Sequence, residues 1–191
     1  MNARNALRGV AGVAMLLWPA LSLADDSNAG LDQLMALLAQ RRHAEASFTE
    51  EKYLSVLKQP IRSSGRLIYD APDHLEERTL APRPQSVVLD HGLLSMKIAS
   101  RSRTLRLADY PQLAPLIDSI RATLAGERAQ LEKTFQLSFS GDLEHWQMHL
   151  TPRDAQSVLT QIDLAGEHDR VSEVRMQQRD GDRSIMHIAA E

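Results

Sequence analysis

Three groups of side chains have the types and spacings from which chemistry is commonly built. His145 and His149 stand four residues apart, the separation that places two zinc ligands on one turn of a helix. Position 146 is Trp, so the glutamate that acts as general base beside such a pair is missing. Trp146, Met148 and Leu150 alternate with Gln147 and His149, the pattern of a strand. On a strand His145, Gln147 and His149 line one wet face and read as surface residues. Glu50-Glu51 and Glu76-Glu77 offer carboxylates, but adjacent strand residues point to opposite faces, so neither pair forms an acid–base dyad by itself. Arg101, Arg103 and Arg106 are the densest basic cluster. Arg101 and Arg103 share a strand face, where they either hold an acidic partner or lipid head group, or guard a sheet edge against unwanted pairing. No G-x-S-x-G elbow, phosphate loop or dinucleotide fingerprint occurs. With no cysteine there is no disulfide, thiol catalysis or zinc–thiolate site. No catalytic residue, metal or cofactor is expected.

The elements that would carry these residues begin after an export signal. Arg4 and Arg8 flank an apolar stretch from Val10 to Trp18, which is shorter than the roughly 20 residues of a membrane helix. Pro19 and then Ser22-Leu23-Ala24 follow, with small residues where signal peptidase cuts. Cleavage is expected after Ala24, leaving residues 25–191 as one periplasmic domain. Removing Arg4 and Arg8 leaves 20 basic against 25 acidic residues, a net charge of about −5. That balance disfavours nucleic acid or an anionic membrane as partner. Aromatic residues are only 4% of the chain, too few for a stacking platform for bases or sugars.

Leu31, Leu34, Leu37 and Leu38 predict an amphipathic helix over about 30–43, capped by Ser27 or Asn28. From Ser47 to Arg106 the period becomes two, with strands at 65–69, 85–89, 93–99 and 103–107. Leu113, Leu116, Ile117, Ile120 and Leu124 predict a second helix over 111–128. Strands return at 135–139, 146–150, 158–164, 171–177 and 184–188. The reading is an α+β fold, one antiparallel meander of about ten strands with two helices. Two short helices do not fill so large a face, and such a sheet is expected to curl around a core or a cavity.

This combination resembles the periplasmic lipoprotein carrier family, LolA and its relatives. The resemblance rests on Phe48-Thr49-Glu50, Ser64-Gly65-Arg66-Leu67, Tyr69-Asp70-Ala71-Pro72 with Leu75, and Val87-Val88-Leu89-Asp90-His91-Gly92 with Leu94. Farther on, Trp146 to Pro152 looks like the family's strand ending in proline. The resemblance implies a large curved antiparallel sheet forming an incomplete β-barrel, with helices covering the open side and acyl chains held between. It implies a monomeric carrier that receives acylated cargo, a lipoprotein or another lipid, from an inner-membrane export complex and delivers it to an outer-membrane acceptor. The expected cavity lining is Leu67, Tyr69, Leu75, Leu89, Leu94, Met96 and Ile98 from the sheet, with Leu116, Ile117, Ile120 and Leu124 from a lid helix. Glu76 aligns with the family arginine that fastens the lid, and a carboxylate has no hydrogen to donate. Glu77 replaces an aromatic residue, and Glu50 a glutamine. These departures mark a divergent member with a cargo such as a glycolipid, a polyene-type lipid or another acylated product. The alternative on the same fold is a non-enzymatic interaction or sensor protein.

Overall fold

The computed structural model describes residues 23–111 and 114–190. Within them α1 (Leu23–Leu38) leads into six strands: β1 (His43–Tyr53), β2 (Ile61–Asp70), β3 (His74–Ala81), β4 (Gln85–Asp90), β5 (Leu93–Ile98) and β6 (Arg101–Arg106). A 3-10 turn at Leu107–Asp109 precedes α2 (Ala114–Leu124) and α3 (Arg128–Thr134). Five more strands follow: β7 (Phe135–Gly141), β8 (Trp146–Pro152), β9 (Leu159–Glu167), β10 (Arg170–Gln178) and β11 (Arg183–Ala190).

Among the described residues all eleven strands form one sheet in the order β6-β5-β4-β3-β2-β1-β11-β10-β9-β8-β7. Two antiparallel meanders, β1–β6 and β7–β11, are thus joined where β1 pairs with β11, Phe48 opposite Ile188. Phe48 is buried in β1 because its neighbour across the strand gap is Gly65. A Cβ at Gly65 would lie 2.9 Å from the Phe48 ring and 1.9 Å from the Arg78 carbonyl oxygen.

The expected incomplete barrel is not formed. The sheet is open, with β6 and β7 as its two free edges. The argument for curling assumed an apolar face too large for the helices. Two features remove that assumption. First, three helices rather than two lie on the face, because the single helix expected over 111–128 is broken at Gly126 into α2 and α3. Gly126 has φ +66, and a Cβ there would stand 2.2 Å from the Met35 carbonyl oxygen of α1, so the turn presses directly on the first helix. Second, the same face of β3, β4 and β6 carries Glu77, Thr79, Gln85, Arg101 and Arg103 between its apolar residues, and a face so interrupted needs no complete cover.

The main core lies under α1 and α3. Leu31, Leu34, Met35 and Leu38 of α1 and Leu131 of α3 meet Phe135, Trp146, Met148, Leu150, Ile162 and Leu164 of β7–β9. The first helix ends at Leu38 rather than 43. The chain turns there through backbone bonds from Ala39 to Met35 and from Arg41 to Leu38, and Arg41 is held by Asp169. Asn28 lies inside α1 rather than capping it, and its side-chain oxygen accepts a hydrogen bond from Arg128 at 3.0 Å. Residues 1–22 of the expected signal and Leu113 of the expected helix stripe lie outside the described residues. No described helix is long and apolar enough to cross a membrane.

Candidate functional site

The strand registers arrange the inner face of β2–β6, the face that carries α2, in rows across the sheet. In one row Tyr69 pairs with Leu75, Leu75 with Leu89, Leu89 with Leu94 and Leu94 with Leu105. The next runs Leu67, Glu77, Val87, Met96, Arg103. The third runs Gly65, Thr79, Gln85, Ile98, Arg101. Leu67, Tyr69, Leu75, Leu89, Leu94, Met96 and Ile98 therefore share one face. Their surroundings differ. The first row is apolar and is covered: Leu89, Leu94 and Leu107 are buried, with Leu75, Val87 and Ile117 of α2 packed against them. Beyond it the cover thins, and Ile98 is 56% exposed.

Tyr69 brings a polar atom into the apolar row. The residue is 4% exposed and its hydroxyl has no hydrogen-bond partner among the described residues. Burial pushes the phenol up from its ordinary value, with the nearby Glu127 carboxylate adding to the effect. The next two rows hold a polar seam. Thr79 is buried; its hydroxyl donates to Glu77 at 3.2 Å and accepts from Gln85 at 3.3 Å. Burial raises the Glu77 carboxyl above the usual range, and Glu50 adds to the rise while Lys52 opposes it. Glu50, 3% exposed, accepts from Ser63 and pairs with Lys52 at 3.1 Å. The aromatic residue expected from the resemblance at position 77, and the glutamine at 50, are thus replaced by carboxylates with their own partners.

The α2 helix does not present the stripe expected of it. Leu116 packs on the main core, Ile117 on the smaller cluster, and Leu124 is half-buried. Ile120 is 42% exposed. The inward positions include Ser119, Ala122 and Thr123, all buried. Ser119 and Thr123 escape notice in a search for apolar periodicity because they are polar. They tolerate burial because their hydroxyls donate to carbonyls of their own helix, those of Leu116 and Ser119, at 2.7 Å each.

Glu76 sits on the outer face, where Arg78 grips it through two hydrogen bonds of 2.6 and 2.8 Å. The sheet separates it from α2. The tie between α2 and the sheet runs instead through Arg121, which donates to Glu127 at 2.9 and 3.1 Å and lies 3.6 Å from Asp73 in the β2–β3 turn. The hydrogen bonds to Glu127 raise the Arg121 guanidinium above its ordinary value. Nothing in the linear sequence couples Asp73 to Arg121, forty-eight positions away.

One cleft of about 270 Å³ is lined by Pro111, Pro115, Pro152 and Val158, among others, and another of about 190 Å³ by residues around Trp146 and Gly166. None of the eleven expected lining residues borders either cleft. The two histidines are outer-face residues: His149 meets Asp163 at 2.5 Å and His145 lies 3.6 Å from Glu167. Among the described residues no group of three or more potential ligands is placed to hold a metal.

The site is thus an open antiparallel sheet backed by helices, with an apolar row beneath one of them. Residues 24–191 match the family described as outer membrane lipoprotein carrier protein LolA-like. The chain belongs to that family. The LolA-like chain is accordingly a non-enzymatic protein of the periplasm, on a fold suited to protein or lipid interactions. No curated protein matches it. Solved structures similar to the LolA-like chain include a LolA superfamily protein from Nitrosomonas europaea, 10% identical with a TM-score of 0.47, over 85% of this chain and 91% of that one. A DUF1329 family protein from Desulfovibrio piger gives the same identity, TM-score and coverage. MucB of Pseudomonas aeruginosa, solved in complex with MucA, is 18% identical with a TM-score of 0.44, over 84% of this chain and 55% of that one.

Proposed function

We propose that this LolA-like protein carries acyl chains, of a lipoprotein or another lipid, against the inner face of β2–β5 beneath α2, from an inner-membrane export complex to an outer-membrane acceptor. In this reading it is exported by a signal cleaved after Ala24 and works as a monomer. The observation that carries the reading is the asymmetric cover of the sheet. Leu75, Leu89 and Leu94 form an apolar floor whose roof is one side of a single helix, Ile117, whereas the other half of the sheet is sealed by α1 and α3 together with Leu116 and Ala122 of α2.

An acyl chain of about 15 methylenes costs ~12 kcal/mol to expose to water, at ~0.8 kcal/mol each. A carrier must bury that surface and later give it up. A floor that is covered by its own helix when empty meets both demands. Cargo displaces Ile117 from Leu89 and Leu94, so part of the gain on loading is spent separating protein from protein, and return of α2 assists release. Arg121, shared between Asp73 and Glu127, sets how readily the helix lifts. The orphaned Tyr69 hydroxyl is placed to donate to an ester or amide oxygen of the cargo.

The test is extraction of the protein from periplasm followed by mass spectrometry of bound lipid. Acyl lipid at near one-to-one stoichiometry is expected. Ile117→Asp, which puts a charge into the roof, is expected to abolish uptake while the sheet stays folded. Lipid-free protein that takes up no fatty-acyl probe would end the carrier reading.

A further inference from the structure

We infer that β6 is a docking edge for an extended, acidic segment of a partner protein. β6 ends the sheet, so the backbone donors and acceptors of alternate residues along Arg101–Arg106 point outward with no strand among the described residues to receive them. Such an edge is a template for strand addition, in which main-chain hydrogen bonds supply affinity and alternate side chains supply selectivity. The charge on this edge selects the partner. Arg101, Arg103 and Arg106 are exposed, and none of their side chains has a hydrogen bond or ion pair among the described residues. They stand out in a chain whose net charge is −3.

The positions of the cations separate a strand from a flat anionic surface. Arg101 and Arg103 lie on the inner face, opposite Ile98 and Met96. Arg106 lies on the outer face, as does the exposed Lys97, opposite Ser102. A membrane meets one face of the hairpin, whereas a polypeptide laid along the edge projects side chains to both. The guanidinium forks match carboxylates, which an acidic strand offers at every second residue. A second copy of β6 would set arginine against arginine and is disfavoured by the same charges. The opposite edge is built differently: β7 reads FQLSFSG and carries no charge.

The probe is a capped, dye-labelled eight-residue peptide of paired glutamates and valines, EEVVEEVV, which presents carboxylates on both faces of a strand, compared with its lysine–valine counterpart by fluorescence anisotropy at low salt. The acidic peptide is expected to bind at least tenfold more tightly, to weaken as sodium chloride is raised, and to protect alternate β6 amides from hydrogen exchange. The double variant Arg101→Glu, Arg103→Glu changes only exposed side chains and should reverse the preference between the peptides; its unfolding curve checks that it folds, and Arg106→Glu gives an independent reading. A proline at the centre of the acidic peptide removes a backbone donor and should cost tenfold or more. Equal binding of the two peptides, equal binding of the proline form, or absence of protection in β6 overturns the proposal. So does dimerisation through β6 in solution. Adsorption to phosphatidylglycerol vesicles that is lost in the double variant, with no peptide binding, would assign the arginines to lipid and also overturn it.

Discussion

The two halves of the sheet meet the same requirement, covering an apolar face, with different means. Beneath α1 and α3, the strands β7–β9 supply large side chains at most inward positions, and Trp146, Phe135, Leu34, Leu131, Met148 and Leu150 are all but fully buried. Trp146 also satisfies its indole N–H, donating to the His168 carbonyl at 2.9 Å. Across β2–β6 the inward positions alternate in kind as well as direction. One row is leucine-rich, the next two mix Met96 and Ile98 with Glu77, Thr79, Gln85, Arg101 and Arg103, and one helix lies above. The difference teaches that stability and function are divided. A half closed by interlocking side chains holds the fold, and a half closed by one helix over a shallow apolar row is free to exchange that cover for a ligand.

The comparison breaks most readily at the largest effects. Leu34→Ala and Leu150→Ala remove fully buried side chains from the closed half and are expected to cost about 2–5 kcal/mol each in urea unfolding. Leu89→Ala in the open half should fall at or below about 2 kcal/mol, because its cluster is small and α2 can settle into the space. Equal costs in the two halves would erase the division. Arg121→Ala is expected to cost about 1 kcal/mol and to increase binding of an apolar dye, since α2 loses its tie to Asp73. Unchanged dye binding would leave Arg121 with a purely local role beside Glu127.

Smaller effects sharpen the picture. The folded protein favours protonated Glu77, since burial raises its carboxyl. The stability this group contributes is therefore full below the ordinary carboxylate pKa, about 4.3, and is lost as pH rises through the higher folded value. Glu77→Gln should gain up to about 1 kcal/mol at neutral pH and nothing at pH 3.5, as read by thermal unfolding at the two pH values. Ile98→Ser, at a half-exposed position, should move stability by less than about 0.5 kcal/mol while lowering acyl-probe uptake severalfold. A loss of stability without loss of uptake would place Ile98 in the closed half's role.

Much of this was legible in the residues themselves. Alternation located nine of the eleven strands and the outer-face position of His145 and His149, because a period of two is fixed by backbone geometry and survives any tertiary arrangement. It also put Leu94, Met96 and Ile98 on a common face, since they alternate along one strand. The expected second helix ran through Gly126, and the short α3 beyond it has no apolar stripe of its own to announce it. Which polar residues share the apolar face is not a local property: Glu77, Thr79 and Gln85 come together only through the β2–β3 and β3–β4 registers.

Sequence by itself determined that antiparallel strands dominate the chain with helices beside them, and the family to which the chain belongs, because these follow from residue type and short-range periodicity. Tertiary structure alone decided that the sheet stays open and that Glu76 faces away from the helix. It alone decided that Arg121, from the far side of the chain, meets Asp73. Those outcomes depend on which distant segments fill which part of the face, and packing between segments is not written in any one of them.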